Sequence, residues 1–412
     1  MSAALRRSFD SLAVPNYRRY FAGQVVSLSG NWMQTVAEVW LILGLTGSGV
    51  AVGLTTALQF LPILLFAAWG GLLADRFAKR RLLMATQAAM AVPAILLFAV
   101  CLAGVVEPWM VYVLVFARGS VNAIDNPTRQ SFVIEMVGAE RVVNAVSLNS
   151  VIVHSARMLG PALAGVLIAT VGVEPCFALN AVTFAVMILA LTRMDEAELR
   201  PAAPAVREKG AVRAGLRYVR ATPELAVPLG LMAIVGTLGL NFQVILPLLA
   251  RFSFDGGATA YALLVSAMAA GSVIGALVNG SRGRTGPGIL TGSALAFGLL
   301  ALVAAAAPSL ALEVPVLAGL GAASVTFAAA ANSSLQLAVS EHMRGRVMAL
   351  YTVVFLGSTP IGGPLAGWLS EAYDPRAALL LAASAGLAAA WAARVAFRRL
   401  AAAEAPPNKL AA

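Results

Sequence analysis

Cysteine, histidine, lysine and charge are all scarce in this 412-residue chain. Two cysteines, Cys101 and Cys176, and two histidines, His154 and His342, leave no CxxC pair and no HExxH, so no structural or catalytic metal is expected. The lysines are Lys79, Lys209 and Lys409, and none precedes Ser or Thr, which excludes a GxxxxGK[ST] phosphate loop. Charged residues make up 12% of the chain, against roughly 25% in soluble domains. That shortage argues against a disordered chain, a coiled coil or a soluble enzyme. A membrane enzyme would need convergent nucleophile, base or metal groups, and none is found. No cofactor is implied. No cleavable signal is evident, because the first apolar stretch, from near Phe21, is too long and too polar-striped.

Apolar sequence is abundant: 60% of residues are hydrophobic and the mean hydropathy is +0.84. The apolar runs are too long for the strands of an outer-membrane barrel. They fall at 21–45, 50–73, 82–104, 109–127, 142–170, 174–192, 223–249, 258–281, 286–307, 311–331, 346–370 and 375–397. Lipid offers no partner to an open backbone, so each run is expected to be a helix. The expectation is an all-α polytopic membrane protein of twelve transmembrane helices. The polar stretch 193–222 separates an N-terminal bundle, 1–192, from a C-terminal one, 223–412.

Basic residues set the expected orientation. With both termini cytoplasmic, the inner side holds Arg6, Arg7, Arg18, Arg19, Arg76, Lys79, Arg80, Arg81, Arg129, Arg141, the seven basic residues of 193–222, and those of the 8–9 loop, the 10–11 loop and the C-terminus. The outer loops hold only Arg251 and Arg376, while Arg118 and Arg157 lie within spans. This is a positive-inside pattern. The formal net charge of +10 is then explained by orientation and anionic lipid, not by nucleic acid.

Polar residues inside the spans are periodic. Gln24, Ser27, Asn31, Gln34 and Glu38 are spaced 3, 4, 3, 4 along span 1 and share a helix face. Arg118, Asn122, Asp125 and Arg129 in span 4, and Ser147, Ser150, His154 and Arg157 in span 5, repeat the pattern. Such faces must look into protein or water. The second half offers less: Thr237, Asn241 and Gln243 in span 7, then Thr326 and Ser333. Gln24, Asn31, Gln34, Asn122, His154, Asn241 and Gln243 are therefore candidate cavity residues. At about 1.5 Å per residue, Glu38 lies near the depth of Arg118, and Asp125 near that of Arg157. Both pairs are candidates for proton coupling, since a carboxylate that loses its basic partner in a low dielectric gains proton affinity. Static ion pairs that only fix packing are the alternative.

The halves look like parallel repeats. Gly70 at the end of span 2 and Gly275 at the end of span 8, like Arg141-Val142 and Arg346-Val347, are 205 positions apart, and Gly160-Pro161 is echoed by Gly363-Pro364. Parallel six-span repeats characterise one large transporter class.

Gly71-Leu72-Leu73-Ala74-Asp75-Arg76-Phe77-Ala78-Lys79-Arg80-Arg81 resembles the 2–3 loop signature of the major facilitator superfamily, with Ala78 in place of a frequent Gly. Asn16 to Gln24, Trp32 to Ala37, Asp125 to Val133 and Ala156 to Gly165 are similar to the transmembrane secretion effector group, which includes the enterobactin exporter. The resemblance implies a monomeric, multi-pass cell-membrane carrier of the major facilitator fold. It implies that Gly71, Asp75, Arg76, Arg80 and Arg81 form a cytoplasmic gate latch. Gly160 and Pro161 resemble the span-5 motif of proton antiporters, and Arg118 the span-4 arginine, though Val121 and Asn122 depart from the usual Gln-Gly. The expected function is proton-coupled efflux of a hydrophobic or amphipathic small molecule, drug- or siderophore-like. An uncoupled facilitator or channel and a membrane-embedded assembly factor are the rivals. Cys101 and Cys176 near the same face are read as buried small hydrophobes.

Overall fold

Proline at the start of a run and glycine at its end set the helix boundaries. The computed structural model describes residues 10–200, 211–282 and 286–404, and every regular element among them is helical. The helices are α1 (Pro15–Thr46), α2 (Gly49–Arg76), α3 (Lys79–Leu102), α4 (Pro108–Val137), α5 (Val142–Val171), α6 (Glu174–Thr192), α7 (Ala211–Ala221), α8 (Pro223–Leu238), α9 (Phe242–Leu248), α10 (Ala258–Arg282), α11 (Pro287–Ala306), α12 (Leu310–Ala338), α13 (Arg344–Gly357), α14 (Thr359–Ala372) and α15 (Pro375–Glu404). Proline opens α1, α4, α6, α8 and α11, where its missing N–H costs nothing. Gly47, at φ 61°, ends α1 in the left-handed region and donates to the Leu43 carbonyl. Ser48 then caps α2 by accepting from the Ala51 N–H.

Nine stretches of the described residues are long and apolar enough to cross a membrane. Two of them are broken helices: α8 and α9 with the π turn Leu249–Ser253 form one, and α13 and α14 the other. Gly239 interrupts the first, and the second breaks at Ser358, two residues before Pro360. The remaining crossings are α1, α4 and α5, which have the length but carry the polar stripes. The chain is an all-α polytopic membrane protein, as its apolar runs require.

Two boundaries differ from the expectation. Helix α4 does not stop near 127 but continues to Val137, so Arg129 lies inside a helix and not in a loop. Pro127 cannot donate to the Ala123 carbonyl. That carbonyl faces Gly70 of α2 so closely that a Cβ there would sit 3.0 Å from the Ala123 carbon and 3.1 Å from the Ile124 Cα. The stretch 193–222 is also not a plain linker. Glu196 pairs with Arg80, and the Arg200 N–H donates to the Glu135 carbonyl at 3.0 Å, so its first part packs on the first six helices. Its last part is α7, whose Gly215 packs on Arg346 and Leu350 of α13 and whose Tyr218 hydroxyl lies 3.2 Å from Ser340 Oγ. Residues 201–210 lie outside the described ones.

Within the first six helices, α1 packs on α5 and α6, α2 on α4, and α3 on α6. Among the later ones, α10 packs on α12 and α11 on α15. The two sets meet mainly through α2 with α14 and α5 with α10. The face holding the α2–α3 and α4–α5 junctions is called the basic face below. The other is the opposite face.

Candidate functional site

Glu38 and Arg118 meet in the interior. Glu38 is 1% exposed and Arg118 5%. Arg118 Nε donates to Glu38 Oε1 at 3.1 Å and its Nη2 to Oε2 at 2.5 Å, a two-pronged pair between α1 and α4. Gln34 Nε2 donates to the same Oε1 at 2.8 Å, and Asn180 of α6 donates to Gln34 Oε1 at 2.5 Å. Thr35 Oγ1 accepts from Arg118 and from Gln59 of α2, each at 3.3 Å. The carboxylate bonds groups of α1 and α4 directly, and through Thr35 and Gln34 the network extends to α2 and α6. Both partners are nearly dry, so separating them would leave a buried charge uncompensated.

The expected Asp125–Arg157 pair does not form. Asp125 pairs with Arg129, one turn along α4, and also accepts from Thr86 Oγ1 at 2.6 Å and Gln87 Nε2 at 2.9 Å. Arg129 in turn bonds Gln24 Oε1. Depth alone favoured Arg157, but the i,i+4 spacing puts Arg129 on Asp125's own face. Arg157 instead lies over the Trp32 ring, its Cζ 5.0 Å from the centroid, with no carboxylate partner among the described residues.

The candidate cavity residues divide. Gln24 and Gln34 are buried in the contacts above and do not line open space. The face of α1 that carries them is covered by α4 and α6, so its stripe is largely packing glue within the first six helices. Ser27, on the same face, bonds Gln87 of α3. Asn31 and Asn122 stay half-buried and make no side-chain hydrogen bond among the described residues. The side chain of His154 lies outside the described ones. Asn241 sits at the α8–α9 break, donates to the Thr237 carbonyl at 2.7 Å, and packs where a Cβ on Gly362 would come within 2.6 Å of it. Gln243 is half-buried.

At the basic face, Arg80 caps α6. Its Nε donates to the Leu191 carbonyl at 2.6 Å and its Nη2 to that of Thr192 at 3.0 Å, at the negative end of the helix. Lys79 pairs with Glu135 at 2.6 Å. Arg76 and Arg81 are exposed and Asp75 is half-buried. Gly70, the neighbour of Gly71, makes the measured close approach to α4. Gly160 seats Trp32: a Cβ there would be 2.6 Å from Trp32 Cβ and 2.7 Å from the Ser29 carbonyl oxygen, a contact inside the first six helices. Pro161 is buried beside it.

The contacts that join the two sets of helices lie toward the opposite face. Glu371 accepts from Ser48 Oγ at 2.5 Å and from the Val50 N–H at 2.9 Å, so a side chain of α14 caps the start of α2. Gly49 and Gly53 pack against Gly367 and Gly363 backbone to backbone. Trp40 stacks on Tyr261 at 5.8 Å, and Gly165 of α5 leaves room only for Ala262 of α10. At the basic face the ion pairs Lys79–Glu135, Arg80–Glu196 and Arg141–Asp10 all stay within the first six helices and their flanks.

The sequence reading missed several groups. Thr86, Gln87 and Asn180 are single polar residues without a stripe, Glu371 stands at a helix end, and Glu313 is fully buried on α12 with neither oxygen bonded among the described residues. Cys101 and Cys176 are buried and unbridged.

The profile of the transmembrane secretion effector family matches residues 7–410. The enterobactin exporter EntS of Shigella boydii is 27% identical over 88% of this chain and 86% of its own length. The staphyloferrin A transporter of Staphylococcus aureus is 24% identical over 63% of this chain. That match spans 65% of the relative, and the match to the transporter YfiS of Bacillus subtilis spans 49%, less than two thirds of their lengths. Among solved structures, a bacterial homologue of the lysosomal transporter Spinster, inward-facing and unoccupied, superposes with a TM-score of 0.75 at 15% identity over 96% of this chain and 99% of that one. The nucleoside transporter NupG gives 0.71 at 14% identity over 93% and 99%. These likenesses establish the fold, that of the major facilitator transporters, and the profile, which runs almost from end to end, establishes that the chain belongs to the transmembrane secretion effector family.

Proposed function

We propose that the protein is a secondary active transporter of the cell membrane that exports an amphipathic, drug- or siderophore-like small molecule in exchange for protons. The observation that carries the coupling is the buried Glu38–Arg118 pair. A carboxylate held in a dry span is kept ionised by its guanidinium, and it takes up a proton when the guanidinium withdraws. Alternation between two states that differ in the Glu38–Arg118 distance therefore moves one proton per cycle. Glu38 and Arg118 are the coupling groups, while Asp125 and Arg129 hold α1, α3 and α4 together. Residues 1–192 and 223–412 act as two bundles that rock about the cargo site, and the 193–222 segment ties them on the cytoplasmic side. The closed opposite face then corresponds to a state open to the cytoplasm. Asp75, Arg76 and Arg81, on the basic face, form the latch of the alternate state, with Gly71 and Arg80 placing the helices that carry it. The relatives export or carry siderophores by name, which supports this cargo class. The test is a liposome assay of proton flux on addition of amphipathic compounds. Cargo-dependent proton movement supports antiport, whereas cargo flux that ignores the pH gradient would favour an uncoupled facilitator.

A further inference from the structure

Arg157 is a charge that the coupling pair leaves unused. Three arginines lie within α4 and α5. Arg118 holds Glu38 and Arg129 holds Asp125, but Arg157 holds no carboxylate among the described residues. Its side of α5 is settled by helical register. Leu159, Leu163, Val166 and Thr170 form one exposed row, the face expected to meet lipid. Arg157 points about 120–180° away from that row at 100° per residue, between the direction of Gly160, which meets α1, and that of Gly165, which meets α10. It is nevertheless exposed. The space it faces therefore lies between the two sets of helices, on the basic-face side of their contact at Gly165 and Ala262.

We propose that Arg157 and Trp32 form the subsite for an acidic group of the cargo, so that the transported molecule is an organic anion whose acid is joined to an aromatic or apolar body. The proposal rests on the transporter reading above and narrows its cargo. No carboxylate among the described residues neutralises this guanidinium, and its exposure to the space between the two sets of helices leaves it open to an anion from outside the chain. A guanidinium set over an indole face gains cation–π attraction there and keeps in-plane N–H donors free at its edge, the geometry that receives a carboxylate or phenolate in a two-pronged bond. Gly160 supports the arrangement, because any side chain there would push Trp32 out of its seat. A cationic amphiphile would meet like charge in the same place.

The test uses three probes with one ring system and different charge: naphthalene-2-carboxylate, naphthalene-2-carboxamide and naphthalen-2-ylmethylammonium. Binding to the purified full chain in detergent is measured by calorimetry, with no gradient present. The carboxylate should bind at least about tenfold tighter than the amide and the ammonium, which is about 1.4 kcal/mol. Arg157→Gln should remove that preference and Arg157→Lys should keep part of it. No preference for the carboxylate in the wild type, including no saturable binding up to its solubility, overturns the proposal. So does an unchanged preference in Arg157→Gln. If that variant fails to fold, the wild-type ranking and Arg157→Lys decide. Equilibrium binding is independent of coupling: uphill export of a cation would sink the subsite and leave the antiporter standing, and carboxylate binding without proton flux would do the reverse.

Discussion

Gly367→Ala adds one methyl group at the contact between α14 and α2. In the present state that methyl would run into the Gly49 carbonyl oxygen and lie 2.9 Å from the carbonyl carbon and 3.3 Å from the Gly53 Cα. All of these are backbone atoms, so no side chain can turn aside and the helices themselves must part. Overpacking of this kind costs about 1–3 kcal/mol. The cost falls only on the state in which the opposite face is closed, so the equilibrium should move about 5- to 150-fold toward the open one. Gly363→Ala is the internal control. Its methyl would meet the Gly53 carbonyl oxygen at 3.2 Å and otherwise only side-chain atoms beyond 3.7 Å, a contact that a small shift relieves. The assay is pulsed electron–electron resonance between spin labels at Ala103→Cys and Leu312→Cys, both exposed near the opposite face, with Cys101 and Cys176 replaced by alanine. Gly367→Ala should populate a longer distance that Gly363→Ala does not. Identical distributions in the two variants would refute the claim that α2 and α14 close this face by backbone contact.

Asp125→Ala should lower thermal stability by about 3–5 kcal/mol, read by tryptophan-monitored unfolding, because it removes both carboxylate oxygens and leaves Arg129 among buried groups without its ion-pair partner. Near-normal stability with lost transport would return Asp125 to the coupling role. Arg80→Ala removes the cap on α6, so amide exchange at residues 189–194 should accelerate by about fivefold, equivalent to about 1 kcal/mol. Unchanged exchange would mean that the cap contributes nothing. For orientation, a cysteine in place of exposed Arg213 should resist an impermeant thiol reagent in intact cells, and one at exposed Gly257 should react. The opposite pattern would invert the topology.

Much of this architecture was legible because lipid simplifies the code. Apolar runs of span length can only be helices there, so the crossings could be counted before any contact was known. The same simplicity hid the breaks. Gly239 and the Ser358–Pro360 step sit inside runs that stay apolar throughout, and hydropathy does not respond to a backbone interruption. Span 4 differs in the other direction: its apolar run ends at position 127, but Gly70 accommodates the carbonyl that Pro127 leaves without a donor, and α4 continues to Val137. The stripe on α1 correctly marked a face that avoids lipid. Periodicity could not say whether that face meets a cavity or other helices, and most of it meets α4 and α6. Glu38 and Arg118 were matched by depth in separate spans. Asp125 was mismatched because the depth argument ignored Arg129 one turn away on the same helix. Isolated polar residues such as Asn180, Gln87 and Glu371 carry no pattern, and only three-dimensional packing gives them partners.

The central claim is that Glu38 carries the proton. Glu38→Gln fixes the neutral form while nearly conserving volume, and its remaining carbonyl can still accept from Arg118. Uphill transport in liposomes under an imposed pH gradient, measured beside exchange of labelled for unlabelled cargo without one, separates coupling from carriage. The account predicts that Glu38→Gln exchanges cargo but does not accumulate it. Accumulation at the wild-type level would contradict it.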